Sequence, residues 1–132
     1  MTTTHLDGTP DLELEAQMKE YSAKVREQRK KILEDRRLGE EALRRLLPIA
    51  RRDTGQSRRV AAILLSLYNG HRFPLDMTNL RSLDYEIMED CLAVIRMDSH
   101  AYQEVHNYFE NGSQIFEQLA EDWGFNKQKG GE

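Results

Sequence analysis

The chain has little cysteine, little proline and no long apolar run, and each shortage excludes a class of protein. Its 132 residues include one cysteine, Cys91, and three prolines. A single cysteine excludes an internal disulfide and suits a reducing compartment. The most apolar stretch, Val60 to Tyr68, is far shorter than the roughly 20 residues that span a bilayer. Because no apolar leader is visible, we expect a cytoplasmic protein that does not enter membranes.

The sequence also lacks segments that alternate polar and apolar residues, so no β-strand is predicted. Apolar residues recur instead at helical spacing, and they are densest in a central helix predicted at about 54–69. That helix is apolar on more than one side and must be surrounded by others. Asp53 and Gln56 have the spacing of a capping box at its start, and Asn69-Gly70 is a stop signal. We predict an all-α fold, a small helical bundle around a central apolar helix.

Punctuating residues divide the chain into four predicted segments. Thr9-Pro10 reads as the start of a helix, and Gly39 as a bend that ends it. Pro48 is expected to kink or shorten the next helical piece, 40–50. The predicted segments are a disordered leader at 1–9, a long charged helix at 10–38, the helical bundle at 39–125 and a disordered tail at 126–132.

Three more helices are predicted in the second half of the chain. One opens at Asp76 or Thr78 and carries an apolar stripe that includes Cys91. Asp98-Ser99 ends it and caps another helix. The last helix ends at Gly124-Phe125, where the glycine permits a Schellman motif and Phe125 folds back on the final turn.

The N-terminal helix carries a narrow apolar seam of the coiled-coil kind. Its apolar members are Leu14, Met18, Tyr21, Val25 and Ile32. Periodicity alone cannot say whether this seam binds a partner, pairs with a second copy or covers the protein's own core. As partner-binding residues we predict this seam together with Arg29, Arg36, Glu86, Glu89 and Asp90.

A cluster of arginines stands before the central apolar run. A helix N-terminus has free backbone donors, and flanking guanidinium groups could complete an anion site. The candidate residues are Arg51, Arg52, Thr54, Gly55, Arg58 and Arg59. The alternative is structural: these arginines pair with Asp53 and with the acidic helix at 84–90. A nucleotide-hydrolysing loop of the GxxxxGK[ST] type is missing.

Other chemistry-bearing residues do not converge in the sequence. His100 and Glu104 lie four residues apart on one helical face, but zinc needs about four ligands. Cys91 lies on an apolar stripe and is expected to be a core residue. Neighbouring acidic pairs such as Glu89-Asp90 diverge on a helix. We expect no metal, no cofactor and no enzymatic activity.

Charge is segregated along the chain, which leaves a second functional class open. Residues 38–75 carry seven basic and three acidic side chains, and residues 76–132 carry four basic and twelve acidic ones. The basic middle allows a nucleic-acid-binding accessory as the alternative function. Its candidate contacts are Lys30, Lys31, Arg36, Arg37, Arg44, Arg45, Arg51, Arg52, Arg58 and Arg59.

Three segments of the sequence form a recognisable combination. The first runs from Leu47 to Ala61 and contains Arg-Arg-Asp-Thr-Gly-Gln-Ser-Arg-Arg, and the others are Phe73-Pro74-Leu75-Asp76 and Leu83-Asp84. Over about residues 40–97 the chain resembles a domain of unknown function found in short proteins of proteobacterial plasmids, integrative elements and phages. The resemblance supplies no catalytic residues. It implies an accessory protein of a mobile element, and other small proteins of such elements inhibit host defence systems.

From these observations we expect a non-enzymatic protein that binds and inhibits a host protein or nuclease complex. In its most concrete form this is an anti-CRISPR protein whose partner is a CRISPR effector complex in the host cytoplasm. A homodimer through the N-terminal helix is a further expectation.

Overall fold

The structure, a computed structural model, describes residues 11–126. Four α-helices and two short 3₁₀ helices account for most of that range, which contains no β-strand, so the all-α prediction is confirmed. The elements are α1 (Leu12–Ala50), α2 (Ser57–Tyr68), a 3₁₀ helix (Met77–Ser82), α3 (Tyr85–Asp98), a second 3₁₀ helix (Val105–Tyr108) and α4 (Gly112–Asp122). The predicted leader at 1–9, the start at Thr9-Pro10 and almost all of the tail at 126–132 lie outside the described residues.

Helix α1 begins after Asp11, whose side-chain Oδ1 accepts a hydrogen bond from the backbone N–H of Leu14 at 3.0 Å. An aspartate at this position satisfies one of the free donors of the first turn. The helix then continues through Gly39 and Pro48 to Ala50. The predicted break at Gly39, with separate pieces at 10–38 and 40–50, is therefore wrong.

The role of Gly39 is close packing instead of a bend. A Cβ placed on Gly39 would lie 2.3 Å from the Cβ of Met97 in α3. The missing side chain lets the backbone of α1 approach α3 at this point, and both residues are buried. A glycine in a helix interior costs roughly 0.5–1 kcal/mol relative to alanine, so the contact with Met97 offsets an intrinsic weakness of the helix.

Helix α2 is the centre of the bundle, as predicted, and Val60, Ala61, Ile63, Leu64 and Leu65 are all fully buried. Its apolar sides face the other helices because residues from α1, α3 and α4 join it in one cluster. The core members contributed by those helices include Leu43, Leu46, Val94, Met97, Phe116 and Leu119.

The start of α2 differs from the prediction. The helix begins at Ser57, and the capping box of Asp53 and Gln56 does not form. The Ser57 Oγ instead accepts from the backbone N–H of Thr54 at 3.1 Å and bonds the Thr54 hydroxyl at 2.7 Å. Gln56 is used elsewhere: its side-chain Oε1 accepts from the backbone N–H of Asp84 at 2.6 Å, and its Nε2 donates to the Asp84 carboxylate at 2.9 Å. The amide thus fixes the start of α3 against the start of α2.

The connection from α2 to α3 contains a 3₁₀ turn that was predicted as α-helix. Asp76 caps it, since its Oδ1 accepts from the backbone N–H of Thr78 at 2.9 Å. The α-helix starts only at Tyr85. The helix predicted after Ser99 is also wrong, because residues 99–104 form a turn in which Ala101 has a φ of 52°. That left-handed conformation is incompatible with continuing an α-helix.

Helix α4 starts at a position that only glycine can occupy. A Cβ on Gly112 would lie 1.6 Å from the carbonyl oxygen of His106, so the chain passes directly over the second 3₁₀ helix. At the other end, Phe125 N–H donates to the Ala120 carbonyl at 2.8 Å, and Gly124 N–H donates to the Glu121 carbonyl at 3.0 Å. With Gly124 at a φ of 72°, this is the predicted Schellman motif.

The described chain divides into two compact units between Glu34 and Asp35, four residues before the predicted boundary at Gly39. The second unit holds the whole core described above. Within residues 11–126, no helix is both long enough and apolar enough to cross a membrane.

Candidate interaction surfaces

The N-terminal half of α1 exposes the predicted apolar seam. Tyr21 is 69% exposed, Met18 46% and Ile32 38%, while Leu14 and Val25 are half-buried along the helix. Large side chains of this kind are usually buried when they recur at helical spacing. Two further apolar side chains of this half, Leu12 and Leu33, are 73% and 53% exposed and lie away from the seam around the helix.

Arg29 and Arg36, which were predicted to bind a partner together with this seam, have different surroundings. Arg29 is exposed in the first unit. Arg36 belongs to the second unit, where its guanidinium carbon lies 3.2 Å from the ring centre of Tyr102. This cation–π contact fixes Arg36 on the surface of the bundle.

Two arginines of the cluster, Arg58 and Arg59, make contacts within the protein. Arg58 donates to the carbonyl oxygen of Trp123 at 3.0 Å and lies 4.4 Å from the ring centre of Phe125. Arg59 donates to the carbonyl oxygen of Gly55 at 3.2 Å. A cation at the C-terminal end of α4 interacts favourably with its dipole, so Arg58 acts mainly as a structural link between α2 and α4.

Arg51 and Arg52 are exposed just beyond the end of α1. With Asp53, Asp122 and Trp123 they line a shallow cavity of about 300 Å³. Two carboxylates among the lining residues counteract the two guanidinium groups, so the cavity has no net preference for an anion. The Trp123 indole N–H donates to the Ala50 carbonyl at 2.9 Å, which closes α1 against α4 here.

The acidic residues of α3 have mixed environments. Asp90 accepts two hydrogen bonds from Arg45, at 3.0 and 2.8 Å, in a bidentate pair that joins α3 to α1. Glu89 accepts from the Tyr85 hydroxyl at 2.8 Å. Glu86 is exposed. The helix at 84–90 is thus held by Arg45. The structural alternative for the arginine cluster named Asp53 and this helix as partners, but Arg58 and Arg59 donate to the carbonyl oxygens of Trp123 and Gly55.

Several basic residues proposed for nucleic-acid binding also have carboxylate partners. Arg37 pairs with Glu41 at 2.8 Å and Arg44 with Glu40 at 2.9 Å, both within α1. Together with the Arg45–Asp90 pair, these contacts neutralise part of the basic middle segment locally. A phosphate backbone would have to displace them before it could bind there.

One charged network escaped sequence reasoning altogether. Glu117 of α4 accepts from both guanidinium nitrogens of Arg72, at 2.5 and 3.0 Å, and from the Tyr68 hydroxyl at 2.6 Å. The hydrogen bonds from Arg72 and Tyr68 lower the pKa of Glu117 to about 2. Arg72 and Glu117 are 45 residues apart, so no local pattern could have shown the pair.

The candidate metal and nucleophile residues lie in three different environments. His100 lies with its Nε2 2.8 Å from the Asp35 carboxylate, which joins the turn after α3 to α1. Burial raises the pKa of the Cys91 thiol to about 12, and Asp90 adds to the effect. His106 packs edge-on against Tyr68, and its Nδ1 is buried with no hydrogen-bond partner. Within residues 11–126, histidine, cysteine and carboxylate side chains form no group that could hold a metal ion.

Comparison with known protein families places the bundle in a family. A family model described as "Family of unknown function (DUF7673)" matches residues 40–124. The chain belongs to this family. The match extends the resemblance beyond residue 97 to the acidic α4, and it leaves residues 12–34 outside. Neither the curated proteins nor the solved structures contain a match to the chain.

Proposed function

We propose that the protein acts by binding other polypeptides, with residues 12–34 of α1 as the main contact surface. The observation that carries the proposal is the exposure of Met18, Tyr21 and Ile32 on one heptad seam. Exposed apolar residues at this spacing are typical of helices that pair with another helix or enter a groove. The buried residues of α1 lie between Gly39 and Ala50, whereas the three seam residues named above are exposed.

In its most specific form, the proposal makes the protein an inhibitor of a host nuclease complex in the cytoplasm, of the anti-CRISPR kind. The acidic surface of the family domain supports this version, because exposed carboxylates such as Glu86 can meet the basic channels that hold nucleic acid.

The test compares two glutamate substitutions in the full chain. Tyr21→Glu places a charge in the middle of the seam, whereas Ala23→Glu places the same charge on the opposite, exposed side of the helix. Both keep a good helix former, so far-ultraviolet circular dichroism should be unchanged for each.

The readout is phage plaque formation on cells whose CRISPR system targets that phage. Expression of the original chain or of Ala23→Glu should restore plaques, and Tyr21→Glu should not. Affinity capture from the same cells should recover effector subunits with the first two proteins only. If all three behave alike, or if capture yields nucleic acid alone with a steep salt dependence, the proposed function is wrong.

A further inference from the structure

The contact surface at residues 12–34 has a charge pattern that specifies its partner. Resting on the function proposed above, we infer that this segment pairs with the same segment of a second copy, and that the two helices run antiparallel. The two-fold pairing is centred on Ala23.

The seam fixes the register of such a pair. The seam residues occupy the two core positions of a heptad, a and d. In an antiparallel coiled coil each a residue faces a d residue of the second helix. Pairing about Ala23 sets Leu14 opposite Ile32 of the second copy, and Tyr21 opposite Val25. Met18 faces Gln28, the polar residue at the remaining seam position, so the flexible thioether of Met18 lies beside the Gln28 amide. Every apolar seam residue then gains cover from one symmetric interface.

The charges of the segment are divided at the same point. Residues 11–23 carry four acidic side chains and one basic one, and residues 24–34 carry five basic and two acidic ones. Antiparallel pairing lays the acidic half of each copy along the basic half of the other. Next to the seam it brings Glu15 opposite Arg29 of the second copy, twice by symmetry. Both residues are near the seam and at least partly exposed.

Parallel pairing has the opposite electrostatics. In a parallel pair, a residue that flanks the seam on one helix meets the flanking residue five positions further along the second helix. This places Lys24 beside Arg29 of the second copy, twice by symmetry. Like charges at such positions repel. The antiparallel pair contains one repulsion, Lys24 opposite Lys24 of the second copy on the other flank of the seam, against its two Glu15–Arg29 attractions. The parallel pair brings only like charges together next to the seam, so the charge pattern favours the antiparallel arrangement.

Cross-linking measures the arrangement directly. Ser22→Cys lies opposite itself in the antiparallel register, so a short bis-maleimide should join two copies of this variant. Ile32→Cys lies 18 residues along the axis from its counterpart, about 27 Å at the helical rise, and should not be joined. Parallel pairing would reverse the result for Ile32→Cys and overturn the proposal. Native Cys91 is fully buried, and the original chain serves as the background control.

Charge reversal gives a second measurement in the full chain. Sedimentation equilibrium should show that Glu15→Lys and Arg29→Glu each raise the dissociation constant of the dimer by about tenfold, since two symmetric attractions become repulsions. The double variant Glu15→Lys/Arg29→Glu should recover the original affinity. In a parallel pair Arg29→Glu would instead strengthen binding, through Lys24. Added salt should weaken the original dimer.

The two proposals can fail separately. If the original chain stays monomeric at all accessible concentrations while Tyr21→Glu still abolishes plaque formation, the second-copy inference is overturned and the proposed function stands. If a dimer forms with the predicted cross-link but Tyr21→Glu retains full inhibition, the inference is supported and the proposed target of the seam is wrong.

Discussion

The two halves of α1 share one helix and one apolar spacing, yet they differ in burial. In residues 35–50 the seam positions are occupied by small or branched side chains, and Gly39, Ala42 and Leu46 are buried. In residues 12–34 the same positions hold Met18 and Tyr21, which are exposed. Regular spacing shows that a helix has a contact face, but it does not say what covers that face. The difference teaches that the elements that pack on a helix face decide its burial, since Ile32 is 38% exposed whereas Leu46, a side chain of the same size, is fully buried.

The largest test of this comparison removes one apolar side chain from each half. Leu46→Ala should lower the free energy of unfolding by about 2–5 kcal/mol, because Leu46 is fully buried in the core. Met18→Ala should change it by no more than about 0.5 kcal/mol. Urea unfolding at low protein concentration, where self-association does not contribute, makes the measurement. Equal effects would contradict the difference in burial.

The next prediction concerns Gly39→Ala, for which the sign of the change in the free energy of unfolding is the test. A glycine in an open helical position gains roughly 0.5–1 kcal/mol of stability when changed to alanine. Gly39→Ala should instead lose about 1–3 kcal/mol, because its new methyl group would overlap Met97.

The control for Gly39 is a double-mutant cycle with Met97→Gly, because the new methyl group would overlap the Cβ of Met97, which alanine would keep. Removing that Cβ makes room for the methyl group, so the cost of Gly39→Ala should shrink or turn into a gain in that background. A cost that is independent of Met97 would mean that α1 and α3 do not approach through this glycine.

Ion pairs distinguish the halves by a smaller amount. Arg45 holds Asp90 of α3 through two hydrogen bonds, whereas Lys24 meets Glu20 within the helix at 3.7 Å. Arg45→Met should cost about 0.5–1 kcal/mol, and Lys24→Met about 0.3 kcal/mol or less. Thermal unfolding at low and high salt separates them, since the bidentate pair should be screened less.

The last prediction concerns the acid dependence of the stability of the bundle. The pKa of Glu117 falls to about 2 from an ordinary 4.5, so its contribution to stability is fully present above pH 4.5. That contribution is lost as the pH falls towards 2. Because Glu117 and Arg72 are 44% and 38% exposed, solvent screening limits it to about 0.5 kcal/mol.

Unfolding measured between pH 5 and pH 2 should show a shallower acid dependence for Glu117→Gln than for the original chain. Arg72→Met should reproduce most of that change by removing the main partner of Glu117. An unchanged slope in both variants would contradict the lowered pKa.

Local patterns predicted the elements well where one residue type has a strong local preference. The burial of α2 followed from its apolar composition, and the Schellman motif followed from Gly124-Phe125. Prediction failed where a residue serves a distant neighbour. Gly39 was expected to bend the helix but contacts Met97, and Gln56 was expected to cap α2 but holds Asp84.

The candidate surfaces show the same limit. Spacing identified the seam of Met18 and Tyr21, and the structure leaves both exposed. The arginine cluster could not be interpreted from sequence, because Arg58 is engaged by the C-terminal end of α4, 65 residues away. The Arg72–Glu117 pair was missed for the same reason.

The sequence by itself determined that this protein is helical, that α2 is the centre of its bundle and that α1 carries a seam with divided charge. Those features depend on periodicity, local caps and the order of charges, all of which are properties of neighbouring residues. Only the tertiary structure decided that the core uses the second half of α1, which arginines are already paired, and why glycine stands at 39 and 112. Such outcomes depend on contacts between residues far apart in the chain, which no local pattern encodes.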